Sequence, residues 1–400
     1  EVRRGGVDKD ALSKARAPVL IAGGGVIYSG AEAELLTFAQ AHQIPIVETQ
    51  SGKGALTNDE PLNLGGLGVT GTSAANLAVA RADVIVAVGT RLQDFTTGSR
   101  ALLGNDDTAL IGLNIQPFDA AKLKATPLVA DARTGLAALS GAIGDYRAPR
   151  EWGDAVQSAR DEWRISAKTV TAPTNTARPT DAQVIGAVQA SLGKTDIVVG
   201  AAGGLPGELH KLWNTTAPGG YHMEYGYSCM GYEIAGGIGV KMANPTREVV
   251  VMLGDGSYLM ANSEIATSVS LNLKLIIVLL DNRGFGCINR LQGATGGAPF
   301  NNLLDDAASH VDFAAHAASL GAISTHAASL NELEAAIARA RDADRTSVIV
   351  IDTDPNASTQ DGGTWWDVAV PEVSTRPQVT KARAAYEAAI IARQRGENDV

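Results

Sequence analysis

Residues 249–260, "VVVMLGDGSYLM", carry an apolar run into glycine, aspartate and glycine. A second run, "LIIVLL" at 275–280, closes on "DNRGFG" at 281–286. Short, uniform runs of Val, Ile and Leu bounded by turn residues predict strands buried on both faces of a parallel sheet. Asn282 lies 27 positions after Asp255, which leaves room for one turn, one helix near 263–271 and one strand. A single crossover of that length sets the two strands side by side, with their C-terminal ends at one rim. Asp255 and Asn282 are expected there as neighbours.

The same alternation extends in both directions. Upstream, "PVLIAGGGV" (18–26) reads as a buried strand ending in glycines, "AEAELLTFAQAHQ" (31–43) as an amphipathic helix and "IPIVET" (44–49) as the next strand. "GTSAANLAVARA" (71–82) is helical, and "DVIVAVGT" (83–90) and "TALIGLNI" (108–115) are strands. A polar helix at 150–168 and a Pro/Thr-rich stretch, "TVTAPTNTARPT" (169–180), follow. The second alternation has a helix at 181–192, the strand "DIVVGAAGG" (196–204), helices near 207–213 and 230–243, and the two strands quoted first. A long Gly/Asn-rich loop, helices at 312–320 and 330–341, and the strand "SVIVIDT" (347–353) complete it. The predicted fold class is α/β, with two doubly wound parallel-sheet domains. A Rossmann-like domain is expected over 1–146, a helix and linker over 147–180, a second domain over 181–360 and a C-terminal helical tail over 361–400.

Hydrophobic residues make up 45% of the 400 and charged residues 19%, which suits large packed cores and excludes global disorder. A formal net charge of −10, with no Lys/Arg block, argues against nucleic acid or an anionic membrane as partner. No run of 18 or more apolar residues exists, so no membrane-spanning helix is expected. Two cysteines, Cys229 and Cys287, make no disulfide framework, and a cytoplasmic location is expected. The chain opens "EVRRGG" without Met, from which it is expected to be a piece of a longer protein.

A carboxylate and an amide oxygen at a sheet rim are hard ligands suited to Mg²⁺, which keeps waters and takes further oxygens from phosphates. The main-chain carbonyl of Gly284 offers a third oxygen. Gly254 and Gly256 let the backbone close around an ion, and Ser257 offers a hydroxyl and an amide to phosphate oxygens. The expectation is a clamp for a magnesium diphosphate. A second glycine turn, "GGGV" (23–26), fits Gly-x-Gly-x-x-Gly poorly, because Gly30 comes late and Glu48 is a loose match for the ribose acid. A tight strand-to-helix turn is the simpler reading of it, and a nucleotide or flavin there is unsupported.

The "GDG…DN" spacing resembles the signature of thiamine-diphosphate enzymes of the acetolactate synthase and pyruvate oxidase superfamily. Longer runs resemble a hydrolase branch of it that belongs to myo-inositol catabolism: "YHMEYGYSCMGYEIAGGIG" (221–239), "LLDNRGFGCINRLQ" (279–292), "FNNLL" (300–304) and "WWDVAVPEVS" (365–374). The resemblance covers 17–146 as a middle domain and 181–354 as a diphosphate-binding domain. It implies thiamine diphosphate and Mg²⁺ as cofactors, with Asp255, Asn282 and the Gly284 carbonyl as metal ligands. It also implies that Ala202, Gly203, Gly204 and Leu205 cradle the diphosphate together with Gly254, Gly256 and Ser257. Met230 would be the apolar fulcrum that bends the cofactor, although on the sequence alone it reads equally as a core methionine. The Ser228 carbonyl would accept a hydrogen bond from the aminopyrimidine. Cys287, Ile288 and Leu291 would line the substrate pocket, with Asn289, Arg290 and Gln292 as hydrogen-bond candidates nearby. Cys287 has no evident basic partner, so no nucleophilic role is expected of it. His222 and Glu224 are weaker candidates, for which a surface or supporting role is the plainer alternative.

The catalytic glutamate of this superfamily sits on a pyrimidine-binding domain, to which nothing in the chain corresponds. Glu48 falls on a middle-domain strand and does not match it, so no catalytic acid is assigned within the chain. The implied reaction opens a trihydroxycyclohexane-1,2-dione hydrolytically to 5-deoxy-glucuronate. The implied enzyme is a homodimer or homotetramer with sites between subunits, of which this chain is an incomplete fragment. Two alternatives are an acetolactate synthase-like carboligase or decarboxylase, marked by activity on pyruvate, and a non-catalytic cofactor-binding fragment.

Overall fold

The computed structural model describes residues 9–104, 107–304 and 310–394; the opening "EVRRGG" lies outside them. Among the described residues, twelve strands form two six-stranded sheets, parallel throughout. The first holds β1 (Pro18–Ala22), β2 (Ile46–Glu48), β3 (Asn63–Gly66), β4 (Val84–Val88), β5 (Ala109–Asn114) and β6 (Thr126–Val129), in the order β3-β2-β1-β4-β5-β6. The second holds β7 (Ile197–Gly200), β8 (Tyr221–Met223), β9 (Val249–Gly254), β10 (Ile276–Asp281), β11 (Ile323–Ala327) and β12 (Ser347–Asp352), in the order β11-β12-β10-β9-β7-β8.

The eight inner strands are the Val/Ile runs. β10 is buried along its whole length and β9 up to Gly254, because helices cover both faces and leave no polar side to either strand. The four strands that the sequence does not announce, β3, β6, β8 and β11, are the four sheet edges. An edge strand pairs on one side only, so "NLGG", "TPLV" and "YHM" suffice, and Pro127 is tolerated where its missing amide faces no partner strand.

β9 and β10 are hydrogen-bonded neighbours, with Leu280 opposite Gly254. Their connection differs from the expected single helix: it is two short ones, Asp255–Ala261 and Glu264–Ser270. The segment expected as a long loop after β10 starts with a helix, Gly286–Ala294.

The polar helix is Arg150–Val170, and it is part of the core rather than a tether. Trp152, Val156, Arg160 and Trp163 recur at helical spacing and are buried together. The Arg160 guanidinium donates to the carbonyls of Asn63 (3.0 Å), Asn58 (2.8 Å) and Glu60 (2.8 Å), which fastens the helix to β3. One apolar cluster runs from Val19 and Ile21 of the first sheet through Trp163 and Ile185 to Val250 and Ile276 of the second. After β12 the chain returns over the first sheet, where the Trp366 indole donates to Asp94 at 3.0 Å, and the last element of the described residues is the helix Pro377–Gln394. Among the described residues, no helix is long and apolar enough to cross a membrane.

Candidate cofactor and metal site

Asp255 enters the site because Gly254, in extended conformation, caps the helix Asp255–Ala261 and puts the carboxylate in its first turn. Free amides at a helix start favour a negative charge there. Asp255 Oδ2 accepts a 2.7 Å hydrogen bond from the Gly284 amide. Gly284 has φ of +134°, and a methyl group on it would run into the Asn302 carbonyl, so the turn after β10 requires glycine. The Phe285 amide donates to Asn302 O at 2.7 Å and the Leu304 amide to Arg283 O at 2.8 Å, so residues 302–304 brace this turn. Arg283 reaches the far side of the rim, where its guanidinium meets Asp352 at 3.3 Å.

Two oxygens remain over. Asp255 Oδ1 and Asn282 Oδ1 are both buried and have no hydrogen-bond partner among the described residues. Such atoms are costly, and native structures contain few. Burial pushes the Asp255 carboxyl up to about 7, with the Asp281 carboxylate adding to the rise and the Gly284 and Gly256 amides opposing it. A divalent cation held by these oxygens would supply both the missing partner and the missing charge. Among the described residues, no group of three or more His, Cys, Asp or Glu could hold a metal. An ion here would therefore complete its shell with carbonyls, water or phosphate, as Mg²⁺ does. The residues present fit the ion expected.

Met230 lies over this turn: a methyl group on Gly256 would meet the Phe285 ring at 2.7 Å and Met230 Cε at 3.3 Å. It is half-buried and belongs to none of the apolar clusters, unlike a core methionine such as Met252. Ser257, the next residue after Gly256, is buried. Ser228, two residues earlier, has φ of +56°. Ala202 and Gly203 follow β7 and lead into the helix Gly204–Leu212, under which Leu205 is buried.

The helix Gly286–Ala294 supplies the third wall. A methyl group on Gly204 would lie 2.5 Å from Arg290 Nη2 and 3.6 Å from Cys287 Cβ, so both side chains face the start of the helix Gly204–Leu212. Arg290 also donates to Pro355 O at 2.6 Å. Ile288 is exposed and Leu291 half-buried. Burial raises the Cys287 thiol above its ordinary value, the Arg290 guanidinium opposing that, so a neutral thiol faces the site. Gln292 is not free for a ligand, because its amide bonds Ala298 O and the Asn302 side chain.

Several candidates stand apart from this rim. His222 Nε2 is 2.7 Å from the Tyr232 hydroxyl, and burial holds the ring's pKa below its usual value. His222 and Glu224 line a cleft of about 1020 Å³ between the two sheets, with Gly25, Ser51, Lys53 and Arg91 on its other wall. In the "GGGV" turn the Gly23 amide donates to Val88 O (2.8 Å) and the Gly25 amide to Gly89 O (2.9 Å). These glycines serve the close crossing of the β1 and β4 turns: a methyl group on Gly25 would lie 2.6 Å from Gly89 Cα. Glu48 is fully buried and accepts from the amides of Gly54 and Leu56 and from Asn63 Nδ2, each at 3.3 Å.

One residue of the site escaped the sequence reading. Glu233, 1% exposed, accepts from the Gly231 amide at 2.9 Å. Burial raises its pKa, opposed by the Ser257 hydroxyl and by the amides of Gly231 and Ala202. Its carboxylate thus stands where the 202–205, 230–231 and 254–257 segments meet. The available signal was an acid in an otherwise apolar helix, "YEIAGGIGV".

Comparison with known proteins gives two family matches. Residues 9–139 match the model described as "Thiamine pyrophosphate enzyme, central domain", and residues 201–351 match "Thiamine pyrophosphate enzyme, C-terminal TPP binding domain". Curated relatives include a 3D-(3,5/4)-trihydroxycyclohexane-1,2-dione hydrolase of Bacillus anthracis, 39% identical over 413 residues, which are 95% of this chain and 64% of the relative. Proteins of the same name from Bacillus cereus and Bacillus thuringiensis are 38% identical with the same coverage. The chain spans 64% of the length of these relatives.

Proposed function

The chain belongs to the thiamine pyrophosphate enzyme family, and on that premise we propose that it is the larger part of a hydrolase opening a trihydroxycyclohexane-1,2-dione. The observation that carries this reading is the pair of partnerless buried oxygens, Asp255 Oδ1 and Asn282 Oδ1, on adjacent strand ends within the span matching the TPP binding domain. When bound, thiamine diphosphate supplies the nucleophilic carbon and holds the electrons of the broken C–C bond.

The chain's own residues bind and orient. Asp255, Asn282 and the Gly284 carbonyl would hold Mg²⁺. The backbone of Ala202, Gly203, Gly204 and Leu205, with Gly254, Gly256 and Ser257, holds the phosphate oxygens. Met230 would give the cofactor an apolar surface, and the Ser228 carbonyl would accept a hydrogen bond from its aminopyrimidine. Cys287, Ile288 and Leu291 form the substrate wall, where Arg290 and Asn289 meet ring hydroxyls. Water is the second substrate, and 5-deoxy-glucuronate is the product. The glutamate that would serve the cofactor as acid and base would belong to a pyrimidine-binding domain in the remaining third of the protein. That domain meets this chain in a cytoplasmic homodimer or homotetramer.

A site built to bind hydroxyls rejects analogues that lack them, because its polar groups are left unpaired. The protein expressed from its whole reading frame should prefer the trihydroxylated dione over unsubstituted cyclohexane-1,2-dione by about 100-fold or more in kcat/KM. Pyruvate should be turned over poorly. Steady-state kinetics on the three compounds tests this, and comparable rates on pyruvate would replace the hydrolase with a carboligase.

A further inference from the structure

We propose that Glu224 is a positioning residue for the cofactor's aminopyrimidine, acting through the peptide group that joins Ser228 to Cys229. The inference rests on the reading above in which the Ser228 carbonyl accepts a hydrogen bond from that ring.

Residues 224–230 join β8 to the helix Tyr232–Ala243 and belong to no strand or helix. Ser228 sits in the left-handed region at φ +56°, which a residue with a Cβ avoids unless its surroundings impose it. Gly226, Tyr227, Ser228 and Cys229 are exposed, so packing imposes little. Besides the bond from the Tyr232 amide to Cys229 O at 3.5 Å, a carboxylate holds them. Glu224 accepts from the Tyr227 amide at 3.1 Å and from the Cys229 amide at 2.8 Å, one on either side of Ser228. Although burial raises the Glu224 carboxyl, the Cys229, Tyr227 and Gly226 amides outweigh it and hold the group below its ordinary value. The acceptor is therefore an anion at neutral pH, and the bonds to it are charge-assisted. At the base of the loop, the Tyr225 ring packs on Phe95 at 5.5 Å.

The planar peptide bond turns this anchor into an aim. The Cys229 N–H and the Ser228 C=O share one rigid trans peptide group, in which they point in opposite directions. Fixing the N–H on Glu224 therefore fixes the carbonyl on the other side. A hydrogen bond accepted from that N–H also polarises the carbonyl and makes it a better acceptor. Glu224 touches no reacting atom, and its effect is confined to the group that meets the Ser228 carbonyl.

The test compares two ligands by calorimetry, with Mg²⁺ present, on the protein expressed from its whole reading frame. One is thiamine diphosphate, and the other is its 4′-oxo analogue, which has a carbonyl where the cofactor has its amine. The unaltered protein should prefer thiamine diphosphate by about ten-fold, the worth of one hydrogen bond. Glu224→Ala should abolish this preference by weakening thiamine diphosphate alone. Glu224→Gln, which keeps an acceptor oxygen, should retain part of it and stands in if the alanine variant fails to fold. A preference that survives Glu224→Ala, or an equal loss for both ligands in both variants, overturns the role of Glu224. If the unaltered protein shows no preference, the reading of the Ser228 carbonyl is what fails.

Discussion

At Asp255 two oxygens of one carboxylate meet different demands. Oδ2 is satisfied by the Gly284 amide and shapes the turn, while Oδ1, like Asn282 Oδ1, has no partner among the described residues. Asp255→Ala removes the proposed charged ligand as well as the brace and should weaken Mg²⁺-dependent diphosphate binding by on the order of 100-fold, about 2.8 kcal/mol. Asn282→Ala removes the proposed neutral ligand and should weaken it less steeply, on the order of ten-fold. Titration calorimetry of both variants with thiamine diphosphate and Mg²⁺ checks this; unchanged affinity in Asp255→Ala would sink the metal assignment. These two residues were legible because they end two unmistakable strands. Glu233 was not, because nothing in "YEIAGGIGV" says that three separate segments converge on its carboxylate.

Among elements, the helix Arg150–Val170 shows how a polar composition conceals a structural role. It buries a narrow stripe, Trp152, Val156, Arg160 and Trp163, and the rest of its surface meets solvent. Truncating Trp163 opens a void in the apolar cluster common to both sheets. Trp163→Ala should cost about 3–5 kcal/mol, the range for large aromatic truncations in cores. Urea unfolding of the chain and the variant measures it; a loss below about 1 kcal/mol would mean that the helix is a tether after all. The edge strands carry the complementary lesson. β8 and β11 have little apolar character of their own, so their existence depends on an established neighbour, β7 or β12, offering a free ladder.

Across the whole molecule, the helix Gly204–Leu212 of the proposed cradle is docked on the first sheet. Gln50 Nε2 donates to Pro206 O at 3.1 Å, and its Oε1 accepts from the Tyr221 hydroxyl at 2.9 Å. His210 lies between Thr70 Oγ1 (3.1 Å) and Glu48 O (3.3 Å), where burial, helped by the nearby Lys53 ammonium, pushes its pKa down to about 3. The sign of the consequence is fixed by linkage. The unfolded chain takes up a proton near pH 6.5 and the folded one does not, so stability is intact above that pH and falls on acidification towards 3. The slope from this residue is at most about 1.4 kcal/mol per pH unit. His210→Gln keeps a donor and an acceptor but cannot titrate, so its stability should decline less than that of the unaltered chain between pH 7 and 5. Denaturant unfolding across that range decides it, and parallel declines would refute a buried neutral His210.

The sequence by itself determined the inner strands of both sheets and the rim pair Asp255 and Asn282. Branched apolar runs of strand length have one stable home, the centre of a covered parallel sheet, and the first residues beyond such strands must stand together at its edge. Only the tertiary structure decided that "GGGV" is a packing turn, that Glu48 and Gln292 are spent on internal bonds, and that His222 faces a cleft away from the rim. It alone brought Arg290 to Gly204, and Glu233 to the Gly231 amide, the Ser257 hydroxyl and the Ala202 amide. The physical reason is the range of the interactions. Strand burial follows from the composition of five or six consecutive residues, whereas the duty of a polar side chain is set by which donors and acceptors come within about 3 Å after segments far apart in the chain have packed.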